Sequence, residues 1–127
     1  MNLLLDTNAF IWALNGSNRL GGAAREAVLS SENIVYVSVV SAWEMAIKSG
    51  LGKLAVPPRI ATWLPDRLRE QRFETLGITL GHVLDVEQLP PHHRDPFDRL
   101  LVAQAEKLTI VTGDPQLEPY DVRLLRC

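Results

Sequence analysis

Short apolar runs alternate with longer stretches of helical periodicity along this chain. Leu3-Leu4-Leu5 is apolar at every position, which suits a parallel strand covered on both faces, because a strand wet on one side would alternate. The run stops on Asp6, and Thr7 to Leu14 reads as a helix. Asn15-Gly16-Ser17-Asn18 is a turn cluster, followed by a second helix over Leu20 to Leu29. Ile34 to Val37 is a strand rich in β-branched residues, ended by Ser38. A helix then runs from about Val39 to Lys48 and is closed by Gly50 and Gly52. Its Val39, Val40, Trp43, Ala46 and Ile47 share one apolar face, expected to pack inward, and Glu44 sits at the edge of that face beside Lys48.

Pro57 and Pro58 mark a loop before a basic helix, Ile60 to Gln71, whose Arg67 and Arg69, with Arg72 just beyond, read as a solvated face. Leu76 to Ile78 suits a short strand, and Thr79 caps a helix over Leu80 to Gln88. The stretch Leu89-Pro90-Pro91-His92-His93-Arg94 is a rigid loop. It leads into Asp95 as N-cap and Pro96 as first residue of a helix reaching about Lys107. Thr109 to Val111 is a strand that ends in Thr112-Gly113-Asp114-Pro115, and Val122 to Leu125 is the last strand. The alternation of strands and helices predicts an α/β fold with a central parallel sheet covered on both faces. No repeat, low-complexity segment or linker divides the chain, so residues 1–127 are expected to form a single domain.

Chemistry gathers at the strand ends. Leu3–Leu5 delivers Asp6, and the strand at 109–111 delivers Asp114; right-handed parallel connections put both at one edge of the sheet, where ligands bind. Each acid also has a plain use, Asp6 as a helix N-cap and Asp114 as a turn residue. Asp98 lies on the arc of its helix shared with Val102 and Ala105, a costly place for a charge that nothing compensates, although it also suits the positive end of the helix dipole. Glu44 could close a capping box with Ser41 or pair with Lys48, yet its helix too begins at a strand's carboxyl end. Asp95 is explained by capping first and as a lining residue second.

Four acids gathered in one place, Asp6, Glu44, Asp98 and Asp114, would repel one another and call for a cation. A purely oxygen ligand set favours Mg²⁺ or Mn²⁺ over zinc, and such ions activate water and stabilise charge on a phosphate. Thr7, Asn8 and Thr112 are suited to orient the carboxylates, or simply to cap backbone. Lys48, Lys53, Arg94 and Arg99 lie near the acids in sequence and could meet a phosphate backbone. His92 and His93 are adjacent in their loop and read as surface residues.

Composition narrows the classes. With 46% hydrophobic and 22% charged residues the chain has a globular balance, and its net charge of -2 advertises neither nucleic acid nor membrane, so a bound polyanion must be met locally. The one cysteine, Cys127, excludes an intrachain disulfide and suits a reducing compartment, the cytoplasm. The first apolar run lacks a basic lead-in and is not expected to be a signal peptide, and no stretch has the length for a membrane span.

Four stretches, LLLDTNAFIWAL, SAWEMAIKSGLGKL, LPPHHRDPFDRLLVAQA and TIVTGDP, resemble in order and spacing the PIN-domain ribonucleases, and specifically the VapC toxins of toxin–antitoxin pairs. The resemblance implies a three-layer α/β/α sandwich and a Mg²⁺-dependent endoribonuclease with its acids at Asp6, Glu44, Asp98 and Asp114. It further implies Asp95 as an extra ligand in one branch, a homodimer, and a VapB-type antitoxin whose tail fills the acidic groove. Family members cut transfer or ribosomal RNA. Two other readings compete. A haloacid-dehalogenase-type phosphatase needs a second Asp where this chain has Asn8, and a non-catalytic RNA- or protein-binding module of the same fold would have little use for four acids.

Overall fold

The computed structural model describes residues 1–127 except Ala55 and Pro58. Part of the loop expected at Pro57 and Pro58 therefore lies outside the described residues. The described elements run β1 (Asn2–Leu5), α1 (Thr7–Asn15), α2 (Gly22–Leu29), β2 (Ile34–Ser38), α3 (Val39–Gly50), α4 (Ile60–Gln71), β3 (Glu74–Leu76), α5 (Leu80–Val86), α6 (Pro96–Gln104), β4 (Thr109–Thr112) and β5 (Arg123–Arg126). A short 3-10 turn, Pro115–Leu117, follows β4. The strands form one sheet in the order β3-β2-β1-β4-β5, and every neighbouring pair is parallel. The order reverses between β1 and β4, which makes their carboxyl ends the switch point where such sheets open a crevice.

The apolar run of β1 is explained by burial on both sides. Leu3, Leu4 and Leu5 are all fully buried. Leu3 and Leu5 join Val35, Val37 and Val111 under α1 and α2, packing on Phe10, Ala24 and Val28. Leu4 and Ile110 point the other way, into Leu100, Leu101, Val102 and Leu117. Helices on both faces give the three-layer α/β/α sandwich, and a leucine so enclosed contributes about 1.5–3 kcal/mol.

Caps set the helix starts. Ser38 accepts from the Val40 N–H at 3.0 Å, and Thr79 and His82 form a reciprocal capping box. Gly16 ends α1 in the left-handed region at φ 62°, which its missing Cβ permits.

The edge strands differ from expectation. The strand placed at Leu76 to Ile78 is Glu74–Leu76, and that placed at Val122 to Leu125 is Arg123–Arg126. Both are edges with polar, open positions, where hydrophobic pattern marks boundaries poorly. The helix expected to reach Lys107 stops at Gln104, the Ala105 N–H returning to Val102 O at 3.2 Å. That expected over Leu80 to Gln88 stops at Val86.

The largest departure is the orientation of α3. Its buried residues are Val40, Ser41, Glu44 and Met45, whereas Val39, Trp43, Ala46 and Ile47 are exposed, Trp43 by 50%. Periodicity separated the two faces but not which one turns inward. The helix starts directly at the end of β2 and packs against both α1 and α6, so its inner side meets the polar crevice as well as the core. Ser41 and Glu44 serve that crevice. The outer apolar stripe is left open, with Trp43 edge-on to Phe97 at 4.8 Å between ring centroids.

Candidate functional site

A pocket of about 190 Å³ opens at the switch point, lined by Asp6, Thr7, Asn8, Glu44, Lys48, His93, Asp95, Asp98 and Asp114. The four acids singled out in the sequence meet here from four separate places: after β1, on α3, in the first turn of α6, and after β4.

The plain and the functional uses of these acids turn out to be one arrangement. Asp6 Oδ1 caps α1 by accepting from the Ala9 N–H at 2.8 Å, which leaves Oδ2 to accept from the Thr112 hydroxyl at 2.5 Å. Asp114 Oδ1 accepts from the Gln116 N–H at 2.9 Å, and its Oδ2 turns to His93 Nε2, also at 2.9 Å. Capping takes one oxygen of each carboxylate and leaves the other to a side-chain partner, Thr112 for Asp6 and His93 for Asp114. Asp95 also caps as expected, its Oδ1 taking the Phe97 and Asp98 N–H groups at 2.8 and 3.2 Å.

Glu44 is buried, with Oε1 accepting from the Thr7 hydroxyl at 2.6 Å and Oε2 meeting Lys48 Nζ at 2.5 Å. The pair with Lys48 is therefore real. The capping box with Ser41 is not, because Ser38 caps the helix and Ser41 Oγ lies 3.0 Å from the Thr7 hydroxyl. Thr112 ties the two strand ends together, donating to Asp6 while accepting from the Asp114 N–H at 3.0 Å. Asn8 is exposed at the rim. Between Thr112 and Asp114, Gly113 leaves room for the Trp12 indole, since a Cβ there would lie 3.1 Å from the ring.

Two sequence expectations need correction. Arg99 is not free to meet phosphate: its guanidinium donates to the carbonyls of Val86 (3.0 Å), Pro90 (3.1 Å), Leu89 and His93 (both 3.4 Å) and to the Tyr120 hydroxyl (3.3 Å). It staples the proline loop. His93 is not a surface residue either, for its side chain is only 9% exposed and its Nε2 stands between Asp98 Oδ2 (3.0 Å) and Asp114 Oδ2 (2.9 Å). His92 is exposed, edge-on to Tyr120. Adjacent histidines point apart, which made the pair look idle; the five-residue step from His93 to Asp98, across the turn that Asp95 caps, was the available clue. Arg94 and Lys53 are exposed and outside the pocket lining.

Five carboxylates and the Lys48 ammonium line the pocket. Burial pushes Asp6 up to about 6 despite the hydrogen bonds from Thr112 and Ala9, with Asp114 and Glu44 adding repulsion. Asp98 is raised as well, first by burial and then by Asp95 and Asp6, against the opposing influence of His93. Groups so crowded resist carrying full charge without a further cation. Ligand atoms of His93, Asp98 and Asp114 lie within 4.8 Å of one another among the described residues. The donors fit a hard divalent ion bound through oxygen.

Residues 3–122 match the family model described as "PIN domain". A stretch of 58 residues is 38% identical to Ribonuclease VapC16 of Mycobacterium tuberculosis; it covers 46% of this chain and 41% of that relative, so less than half of the relative's length is matched. Among solved structures, VapBC2 from Rickettsia felis, bound to a DNA fragment from its promoter, superposes with a TM-score of 0.72 at 18% identity, covering 99% of this chain and 98% of that one. DNA-bound VapBC from Salmonella typhimurium gives 0.69 at 17% identity, with the same coverage of 99% and 98%. At these identities the structural likenesses bear on the fold.

Proposed function

Because the chain belongs to the PIN-domain family, we propose that it is a metal-dependent endoribonuclease of the VapC toxin type, one domain over residues 1–127, restrained by a VapB-type antitoxin. The observation that carries the reading is the convergence of Asp6, Glu44, Asp98 and Asp114 in one pocket at the sheet's switch point. The match to a ribonuclease named VapC16 and the likeness to VapBC structures support it.

Asp6, Glu44, Asp98 and Asp114 would hold Mg²⁺, with Mn²⁺ as a substitute. Bound there, the ion would supply Lewis-acid activation of water and charge stabilisation at an RNA phosphodiester. The chain's own part is to fix the oxygens. Thr112 and the Ala9 amide orient Asp6, Thr7 and Lys48 orient Glu44, and the Asp95 cap sets the start of α6 so that Asp98 faces inward. Exposed Arg94, and Lys48 where it leaves its pair with Glu44, would meet the RNA backbone.

Transfer or ribosomal RNA is the proposed substrate, and the cytoplasm the proposed site of action. Among the described residues no helix is long and apolar enough to cross a membrane. A homodimer is the proposed assembly, in which exposed apolar residues such as Val39, Trp43 and Ile47 on α3 would be covered. The acidic pocket complements a cationic side chain from an antitoxin tail.

Asp6→Asn tests the reading. It should lower Mg²⁺-dependent cleavage of structured RNA on the order of 10³-fold while circular dichroism and melting show a folded chain. Wild-type cleavage by the variant, or by the wild-type protein in excess chelator, would favour the non-catalytic module.

A further inference from the structure

Lys48 is the one permanently charged cation among the described residues that line the pocket. Its Nζ donates to Glu44 Oε2 at 2.5 Å, four residues back on the same helix. On an open helix face such a pair is worth little. This pair has different surroundings. Glu44 is only 7% exposed, and its other oxygen accepts from the Thr7 hydroxyl at 2.6 Å, so each oxygen already has a partner. Asp95 and Asp98 line the same space, which makes the ammonium the built-in answer to part of the pocket's negative charge.

The two partners are not equally free to move. Thr7, whose hydroxyl also contacts Ser41 Oγ at 3.0 Å, holds the buried Glu44 carboxylate against α1. Lys48 is anchored at its backbone, where its carbonyl accepts from the Leu51 and Lys53 N–H groups at 3.2 and 2.9 Å as α3 ends. Beyond that anchor the ammonium rides on a flexible stem, its side chain 28% exposed, with the face of the Phe97 ring 5.7 Å away. An arriving cation therefore meets a fixed carboxylate and a movable ammonium.

We propose that Lys48 is a positioning residue that acts through Glu44: its ammonium occupies the carboxylate as a tethered counter-cation, and a divalent ion that takes Glu44 as a ligand must displace it. The proposal rests on the metal-dependent reading and adds a control on how tightly the ion is held. Tethering favours the ammonium, because a group on the same helix is always at hand. Charge favours the ion, which carries twice as much and draws on several oxygens at once. The pair thus lowers the ion's affinity without closing the pocket to it, and the displaced ammonium is free to meet a phosphate.

Two readouts on the whole protein test this. Lysine-selective NMR of the wild type should show the Lys48 ammonium hydrogen-bonded without metal and released in saturating Mg²⁺, while Lys53 stays unchanged. Calorimetric titration with Mn²⁺ should show Lys48→Met binding about tenfold more tightly than wild type, the size of one charge-assisted hydrogen bond no longer in competition, with Lys48→Arg close to wild type. In a Glu44→Gln background the same Lys48→Met change should shift affinity by less than about twofold. The proposal is overturned if the Lys48 signal stays put at ion saturation, if Lys48→Met binds Mn²⁺ no more tightly than wild type, or if the tightening is equal in both backgrounds. The NMR result decides even if a variant fails to fold. Absence of any ion on the wild type would instead bring down the metal-dependent reading, so the two failures are distinguishable.

Discussion

Asp6 and Thr112 stand at the ends of adjacent strands whose Leu3, Leu4, Leu5, Ile110 and Val111 are fully buried, whereas His93, Asp95 and Asp98 stand on a proline loop and the helix start it feeds. The strand wall is fixed by the core of the whole domain. The loop wall is fixed by a few polar bonds, chiefly those of Arg99 and Tyr120. One pocket thus combines a side that moves only if the sheet does with a side that a single substitution can loosen. The difference teaches that the two sides of the pocket answer to different interactions, the strand wall to core packing and the loop wall to a local set of hydrogen bonds.

The strand wall should show the larger response, through charge. In the metal-free protein burial raises Asp6 from its ordinary 3.8 to about 6, so between those values the folded chain keeps a proton that the unfolded chain has released. That stability is fully present below about pH 4 and is lost as pH rises through 6, by roughly 3 kcal/mol in all, about half of it between pH 5 and 7.5. Urea unfolding in chelator should show the decline, and saturating Mg²⁺ should remove it by stabilising the ionised carboxylates. A metal-free protein equally stable at pH 5 and 7.5 would mean that Asp6 carries its charge there at no cost.

The loop wall should respond to Arg99→Lys, because an ammonium cannot reproduce the fork that reaches five acceptors. Global stability should fall by only about 1–2 kcal/mol. Hydrogen exchange should quicken at residues 89–95 and stay unchanged at 3–6 and 109–112. Equal quickening on both sides would erase the distinction between the walls.

The strand wall was legible in the sequence for a physical reason. An all-apolar strand of a parallel sheet is buried on both faces, its terminal acid must lie at the carboxyl edge, and topology brings such acids together without knowledge of any side-chain contact. Asp6 and Asp114 followed from that rule, and Asp98 from its place on an apolar arc. The misreadings came where a side chain's partner lies far along the chain, or where a helix carries apolar residues on its outer side. Arg99 looked like a free cation because its acceptors belong to the neighbouring loop and Tyr120. His93 looked idle because Asp98 and Asp114 reach it only after folding. The exposed side of α3 was taken for the inner one because Trp43 and Ile47 are as apolar as any core pair, and periodicity carries no sign.

A crystal grown in Mn²⁺ and measured at the manganese absorption edge tests the central claim most directly. The account predicts anomalous density in the pocket, among carboxylate oxygens of Asp6, Glu44, Asp98 and Asp114. An empty pocket at saturating manganese, or a peak on another surface, would contradict it.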